Sequence, residues 1–219
     1  MKSIIVPEPT KKLEPSEEEM WINMGPQHPM THGLWNLRVK VKGDTIIDAQ
    51  PEIGYLHRGV EKIVEIKEYF QVLVYMDRLC YAAAVAQEAP YIGAVERLFN
   101  LEVPERAQYI RTLMLELQRI ASHLMWLAAY AADLGVLTMF LYTMRDRELF
   151  LDLFQLASGA RLLPHYFRIG GVMNDINDDF IEETNNVLDY FEKRIDDYEG
   201  MLDESEIFII RTKDVGTIS

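Results

Sequence analysis

The stretch ERAQYIRTLMLELQRIASHLMWLAAYAAD, residues 105–133, decides the fold, because it predicts one long helix. It follows Val103-Pro104, and proline is favoured in the first turn of a helix, where its missing N–H is not needed. No glycine or proline interrupts the stretch. The sequence therefore predicts a helix from about Glu105 to Asp133, in an architecture dominated by helix packing.

Downstream of this helix, glycine and proline divide the chain into further elements. We expect a loop or a broken apolar turn over residues 135–144, and then a helix over residues 145–163 that ends at Pro164 and Gly170-Gly171. A polar, acidic helix is predicted over residues 178–202. Its narrow apolar stripe consists of Phe180, Val187, Leu188, Phe191 and Ile195. The apolar run at residues 207–210 needs a partner to bury it, so we expect the chain to stop before its fold is complete.

Upstream, the hydrophobic pattern predicts helix from Val60 onward, including a long helical stretch over residues 69–89 that Pro90 and Gly93 kink or divide. Residues 35–49 alternate polar and apolar side chains around Gly43-Asp44, which is typical of a β-hairpin. The predicted class is α+β, mainly α. Its three parts are an extended N-terminal arm (1–20), a β-hairpin and loop region (21–59) and a bundle of long helices (60–219).

Composition excludes several classes of protein. The chain has 22 basic and 35 acidic side chains, a net charge of 22 − 35 = −13, which argues against nucleic-acid binding. A single cysteine, Cys80, excludes an intramolecular disulfide and a multi-cysteine metal cluster held by this chain alone. No apolar run reaches the roughly 18 residues of a membrane span, so we expect partners to provide any membrane connection.

The loop GPQHPMTHG, residues 25–33, holds two of the five histidines, His28 and His32. Its prolines and glycines predict a stiff, shaped loop. Three interpretations stay open from the residues alone. The histidines could bind a metal, although Pro29 between them disfavours a helical ligand pair. They could hydrogen-bond to the backbone of a tight turn, or present an imidazole to a substrate.

Other polar residues lie in apolar surroundings. Glu116, Arg119 and His123 share one face of the 105–133 helix and form either an ion-pair network or part of a site. Asp133, at the end of that helix, is either a capping residue or a carboxylate in a pocket. Tyr81 follows the Asp77-Arg78 pair within an apolar stretch and is either core or a hydrogen-bond donor in a cavity.

Several motifs occur together and in order, and through them the sequence resembles one family of complex I subunits. These are the hydrogenase-large-subunit-like, D-type subunits of NADH:quinone oxidoreductase and its archaeal relatives. The resemblance spans about Trp21 to Ser219. Its motifs are the 25–33 loop, HRGVEK at 57–62, YMDRLCY at 75–81, RAQYIR at 106–111, RDRE at 145–148 and SGAR at 158–161.

The resemblance implies a peripheral subunit, on the cytoplasmic side of the cell membrane, that lines the head of a quinone cavity. Partners would be an iron-sulfur subunit carrying the terminal [4Fe-4S] cluster, a membrane subunit forming the quinone entrance and a neighbouring peripheral-arm subunit. This chain alone would hold no cofactor. His32 and Tyr81 would hydrogen-bond the quinone carbonyls, with Asp133 paired to His32 and Arg58 beside the cluster. The further implied site residues are His28, Met30 and Thr31 near the substrate, and Arg78, Glu116, Arg119 and His123 in support.

This sequence departs from the family pattern at two places. Leu163 stands where the family often has a histidine, with His165 two residues further on, which makes a low-potential quinone such as menaquinone a reasonable substrate. Cys80 stands where complex I subunits usually carry aspartate. The alternatives are a large subunit of a membrane-bound, hydrogenase-like complex and a non-catalytic helical scaffold. Nickel binding would need paired thiolates, and Ala83 occupies the place of the second cysteine.

Overall fold

The computed structural model describes residues 18–27 and 33–217, which form two compact units that divide between Ile63 and Val64. The predicted α+β, mainly α class is confirmed. The described strands and helices are β1 Glu19–Met24, β2 Asn36–Lys42, β3 Thr45–Glu52, α1 Val60–Val64, α2 Tyr69–Met76, a 3₁₀ turn Tyr81–Ala83, α3 Ala84–Phe99, α4 Glu105–Asp133, α5 Leu137–Ser158, β4 Phe167–Arg168, β5 Gly171–Val172, α6 Asp178–Asp203 and α7 Glu206–Thr212.

The unit up to Ile63 is built on an antiparallel sheet with strand order β1-β2-β3. The predicted hairpin is confirmed as β2 and β3, in which Val39 pairs with Ala49. Alternation along β2 buries Val39 and Val41 on one face of the sheet. Strand β1, which begins at Glu19, was not predicted, and it takes in the last two residues of the expected extended arm.

The loop that begins at Gly25 starts from a conformation that only glycine fits. Gly25 has φ of 128°, and a Cβ atom there would collide with the carbonyl oxygen of Trp35. Gln27 and Leu34 form a β-bridge at the two ends of the segment 28–32. That segment lies outside the described residues.

The second unit is organised around α4, as the sequence predicts. Its buried side chains, Met114, Leu117, Ala121, Leu124 and Ala128, recur at helical spacing and form one stripe. A short connection, residues 134–136, leads into α5, which packs along α4 and contributes Phe150, Leu151 and Phe154 to the core. The confirmed helix α6 then packs on α5.

The predicted helix over residues 69–89 is wrong in one respect, because the break lies at residues 77–83 instead of at Pro90. Helix α2 ends at Met76, and Arg78 Nη1 donates to the carbonyl oxygen of Val74 at 2.9 Å, which satisfies a carbonyl of the last turn. Pro90 lies inside α3 at an exposed position. The carbonyl of Ala86, which loses its helical partner there, belongs to another exposed residue and can bind water.

The limits predicted for the next helix are also wrong. Helix α5 begins at Leu137, eight residues before the predicted start at Arg145, and ends at Ser158 rather than Leu163. The apolar residues at 137–144 hide the helical period, whereas Gly135, with φ of 99°, makes only the turn before the helix. Gly159, with φ of 79°, ends the helix in the left-handed conformation.

Candidate functional site

A buried carboxylate lies in the turn where α2 ends. Asp77 has no exposed surface, and its Oδ1 accepts a hydrogen bond from Arg78 Nη1 at 2.7 Å. The apolar pattern predicts that these residues lie inside a helix, but they form the turn that terminates α2. This turn aims the Asp77 carboxylate into the protein while the Arg78 guanidinium stays half exposed.

Tyr81 opens the 3₁₀ turn that follows, and it is 57% exposed. The turn is anchored to α4, because the carbonyl oxygen of Ala82 accepts hydrogen bonds from Gln118 Nε2 at 3.0 Å and from Ser122 Oγ. Arg147 is buried and lies close enough to interact electrostatically with Tyr81. A fixed backbone therefore presents an accessible phenol with a cation nearby.

Asp77, Glu88 and His165 form a cluster in which one potential ligand atom from each lies within 4.8 Å of the others. Glu88 comes from α3 and has no exposed surface, while half-buried His165 precedes β4. Burial raises the pKa of Glu88 to about 7, and the nearby Asp77 adds to that shift against a hydrogen bond from the Phe167 N–H. Two carboxylates and an imidazole of this kind can share a proton or hold a divalent cation.

The hairpin of β4 and β5 is clamped onto the helices by a largely buried ion pair. Arg111 on α4 donates two hydrogen bonds to Glu96 on α3, at 2.6 and 3.0 Å, and one to the carbonyl oxygen of Arg168 at 2.8 Å. The N–H of Gly170 also donates to Glu96, at 2.8 Å. Burial alone would raise the pKa of Glu96, but the hydrogen bonds from Arg111 and Gly170 outweigh it and lower that pKa.

A cleft of about 680 Å³ opens between α2 and this hairpin. Its walls are mostly apolar and include Phe70, Leu73 and Val74 from α2. His165 and Arg168 supply polar groups from the hairpin side. The cleft thus reaches the edge of the Asp77–Glu88–His165 cluster through the imidazole.

The residues predicted on one face of α4 are not buried, which corrects that part of the sequence analysis. Arg119 pairs with Glu116 on the exposed surface, with Nε to Oε2 at 2.9 Å, and His123 is exposed on the same helix. The predicted spacing along the helix is right, but the apolar stripe that faces the core lies on another side. An exposed pair of this kind contributes little to stability.

Asp133 is the last residue of α4 and its side chain is exposed. Its backbone carbonyl accepts a hydrogen bond from Arg211 Nη1 at 3.5 Å. Arg58 is exposed in the first unit, ahead of α1. The predicted site residues His28, Met30, Thr31 and His32 lie outside the described residues.

A further buried carboxylate, Asp146 on α5, is not among the site residues predicted from the sequence. It accepts hydrogen bonds from Arg145 Nε at 2.6 Å, from the Tyr190 hydroxyl at 3.2 Å and from Tyr198 of α6. Burial would raise the pKa of Asp146, but these donors outweigh it and lower that pKa, whereas burial and the bond to Asp146 raise the pKa of Tyr198. The sequence pattern could have indicated that Glu88 and Asp146 are buried, since each is an acid on the apolar side of a helix.

Two family models match adjoining parts of the chain. Residues 133–219 match the model described as the 49 kDa subunit of the respiratory-chain NADH dehydrogenase, and residues 58–134 match the nickel-dependent hydrogenase model. For nickel, the residues present do not fit a site of paired thiolates, because Cys80 is the single cysteine of the sequence.

Curated relatives share about half of the aligned residues with this chain. It is 50% identical over 202 residues to the D-type subunit of the NADH-quinone oxidoreductase of Desulforamulus reducens, covering 92% of this chain and 55% of the relative. It is 47% identical over 207 residues to the H-type subunit of the chloroplastic NAD(P)H-quinone oxidoreductase of Chlorokybus atmophyticus, covering 94% and 53%. The chain therefore spans about half the length of the curated relatives it matches.

A solved structure shares the fold. A chain of the membrane-bound sulfane sulfur reductase, an archaeal respiratory membrane complex, superposes with a TM-score of 0.86 at 31% identity. The match covers 95% of this chain and 56% of that one. Within residues 18–27 and 33–217, no helix combines the length and the apolar composition needed to cross a membrane.

Proposed function

Because this chain belongs to the family of the 49 kDa, or D-type, subunits of NADH-quinone oxidoreductases, we propose that it helps to form the quinone-reducing site of such a complex. In this role it receives electrons from a [4Fe-4S] cluster held by a neighbouring iron-sulfur subunit. The complex is a proton-translocating oxidoreductase, and the chain is one component of it. The substrate is a quinone, with menaquinone the preferred candidate because Leu163 and His165 depart from the family pattern.

The observation that carries this proposal is the exposed position of the Tyr81 side chain on an anchored turn. A tyrosine with a satisfied hydroxyl in a core would be buried, but this phenol is exposed on a backbone turn held by Gln118 and Ser122. An anchored turn limits the movement of the side chain, so the hydroxyl can be aimed at a substrate without a large entropic cost.

The chemistry of quinone reduction explains why these groups suit the site. Two-electron reduction places negative charge on the quinone oxygens, which must be matched by hydrogen-bond donors and then by protons. In our proposal Tyr81 donates to one oxygen and His32 to the other, with Asp133 orienting His32. Arg147 lowers the cost of the negative charge, since it is a buried cation near Tyr81.

Other parts of the family role follow as proposals for this chain. Arg58 is positioned beside the partner's cluster, while His28, Met30 and Thr31 contact the quinone. The chain associates with the membrane peripherally on the cytoplasmic side, through a membrane subunit that forms the quinone entrance. A peripheral-arm subunit is a further partner.

The exposed residues Glu116, Arg119 and His123 are better placed to contact a partner than to support the quinone, because they lie on the surface of α4.

A second candidate function is favoured by the match of residues 58–134 to the hydrogenase model and by the reductase neighbour. In that case the chain belongs to a hydrogenase-like membrane complex with a different terminal acceptor. The lone thiol of Cys80, with Ala83 in place of a second cysteine, argues against nickel bound by this chain.

Tyr81→Phe tests the proposal in the assembled complex that contains the full-length subunit. We expect quinone reduction to fall at least about tenfold, because the variant removes one donor that strengthens as charge develops on the quinone. His32→Ala should show a comparable loss. The measurement is the rate of quinone reduction, together with the reducibility of the partner's cluster by electron paramagnetic resonance.

The matched control is Tyr109→Phe, which removes the hydroxyl of another exposed tyrosine, on α4. Its quinone reductase rate should equal that of the wild type. Full activity in both Tyr81→Phe and His32→Ala, with the cluster reducible in each, would contradict the quinone role of these residues. Reduction of sulfane sulfur instead of quinone by the wild-type complex would favour the second candidate.

A further inference from the structure

We propose that Asp77, Glu88 and His165 form a single proton-binding site, in which one exchangeable proton is shared among the three side chains and reaches solvent through the cleft beside α2. The inference stands on the geometry of this cluster and does not depend on the quinone role proposed above.

Each member of the cluster has one buried atom without a hydrogen-bond partner among the described residues. These atoms are Asp77 Oδ2, Glu88 Oε1 and His165 Nδ1. The other carboxylate oxygens are engaged, since Asp77 Oδ1 accepts from Arg78 and Glu88 Oε2 accepts from the Phe167 N–H at 2.9 Å. The unengaged atoms therefore belong to groups that already lie close to one another.

With the neutral imidazole proton on Nε2, all three atoms offer only lone pairs, and they cannot satisfy one another without a further proton. A buried polar atom without a partner costs about 1–3 kcal/mol, and more if it is charged. One proton on Glu88 or on His165 turns that group into a donor toward a neighbouring acceptor. A single shared proton thus removes most of the penalty, whereas two carboxylates without it would repel each other.

The charged groups around the cluster favour one proton rather than two or none. Arg78 neutralises Asp77 from the end of α2, and Arg168 approaches from β4. Lys67 lines the adjoining cleft, while the Tyr166 hydroxyl donates to the Asn174 carbonyl and is engaged elsewhere.

Burial raises the pKa of Glu88 to about 7, whereas burial and then Arg168 lower the pKa of His165. The usual order of proton affinity is therefore inverted, and Glu88 holds the proton more strongly than His165 does.

His165 provides the route for exchange. It is half-buried, lines the cleft of about 680 Å³ and holds a left-handed backbone conformation with φ of 45°. Histidine is among the few non-glycine residues that tolerate this region, as is asparagine. The imidazole lies between the buried carboxylates and the open cleft.

A divalent cation is the competing occupant of the same atoms. Two carboxylates and an imidazole are a suitable ligand set for zinc. The guanidinium of Arg78 already compensates Asp77, and Arg168 adds a second positive charge nearby, so a dication would meet repulsion from both. A proton carries half of that charge and needs no contraction of the cluster around a metal.

The test is an NMR pH titration of the 219-residue chain with ¹³C-labelled glutamate side chains and histidine rings. We expect the carboxyl of Glu88, assigned by its loss in Glu88→Gln, to titrate near pH 7, in line with its raised pKa. The exposed Glu182 on α6 supplies a reference signal for a solvated glutamate side chain. The ring signals of His165 should show an inflection at the same pH as Glu88, because coupled groups share their titration steps.

Two variants test the coupling. Asp77→Asn removes a neighbouring negative charge and should lower the midpoint of Glu88 by about one pH unit. His165→Asn keeps a residue that accepts the left-handed backbone and should also lower that midpoint, because it removes the imidazole acceptor.

The proposal is overturned if wild-type Glu88 titrates near the ordinary glutamate pKa of 4.5, or if His165 shows no inflection at the Glu88 midpoint. It is also overturned by stoichiometric zinc binding at micromolar concentration that is lost in Glu88→Gln. These measurements need one folded variant, Glu88→Gln, and they decide the question even if Asp77→Asn or His165→Asn fails to fold.

Discussion

Glu88 shows how a single side chain can set the pH dependence of this fold. Its carboxyl sits inside α3 without exposure, accepts the Phe167 N–H and faces Asp77. A buried carboxyl must either stay protonated or find a partner. Burial of Glu88 therefore raises the pKa of its carboxyl. The raised pKa makes the free energy of unfolding depend on pH, so it can be measured by unfolding experiments.

The residue-scale prediction is that Glu88→Gln changes the pH profile of stability. The folded-state pKa, about 7, lies above the usual value of 4.5, so the folded state binds more protons than the unfolded state between these values. The stabilisation from the Glu88 proton is therefore complete below the unfolded pKa and is lost as pH rises through about 7. Glutamine keeps a neutral group and an acceptor for Phe167, so the variant should not lose this contribution.

Urea unfolding at several pH values provides the measurement. Between about pH 5 and about pH 8, the wild type should lose up to about 3 kcal/mol relative to Glu88→Gln. Glu182→Gln, at an exposed position, should run parallel to the wild type throughout. Parallel profiles for the wild type and Glu88→Gln would show that the Glu88 pKa is not raised.

At the scale of elements, the pair of Arg111 and Glu96 holds the β4–β5 hairpin against α3 and α4. Arg111 bonds to the carbonyls of Arg168 and Gly171, so one guanidinium satisfies groups from three elements. A two-stranded hairpin of this length is not stable by itself. The position of His165 and Arg168 at the cleft therefore depends on this ion pair.

Arg111→Met should destabilise the unit by about 3–5 kcal/mol, because it leaves the largely buried Glu96 carboxylate without its partner. Chemical denaturation and hydrogen exchange at the Gly170 amide, which donates to Glu96, are the measurements. Arg106→Met removes an exposed pair with Asp175 and should cost less than about 1 kcal/mol. Equal losses in the two variants would refute a special role for the clamp.

At the scale of the whole molecule, α4 supplies the centre of the second compact unit. It packs against α3, α5 and β5, and its stripe of buried side chains lies at the middle of the hydrophobic cluster. On α7, by contrast, Ile207, Ile209 and Ile210 are exposed. Stability of the second unit should therefore respond most to cavities under α4.

Leu117→Ala should lower the free energy of unfolding by about 2–5 kcal/mol, because Leu117 is enclosed in the core and the lost methyl groups leave a cavity. Leu141→Ala is the matched control, since Leu141 is 64% exposed on α5, and it should change stability by no more than about 0.5 kcal/mol. Thermal or urea unfolding measures both. A small effect of Leu117→Ala would mean that α4 is not the centre of the core.

The sequence by itself determined the features that depend on local pattern. Apolar spacing and Pro104 defined α4, Gly43-Asp44 marked the turn of the β2–β3 hairpin, and ordered motifs identified the family. These signals are local because helix period, turn geometry and short motifs are each written in neighbouring residues. The quinone-site residues were inferred from resemblance, and for them the structure adds the accessible position of Tyr81 and leaves the roles as proposals.

Tertiary structure alone decided which polar residues are buried together. Glu116 and Arg119 looked buried by helical spacing but lie on the surface, because the neighbours of α4 cover its other side. Asp77, Glu88 and His165 are separated along the chain and meet only after α2, α3 and the hairpin pack. A carboxylate's pKa depends on burial and on charges from other elements, which no local pattern contains.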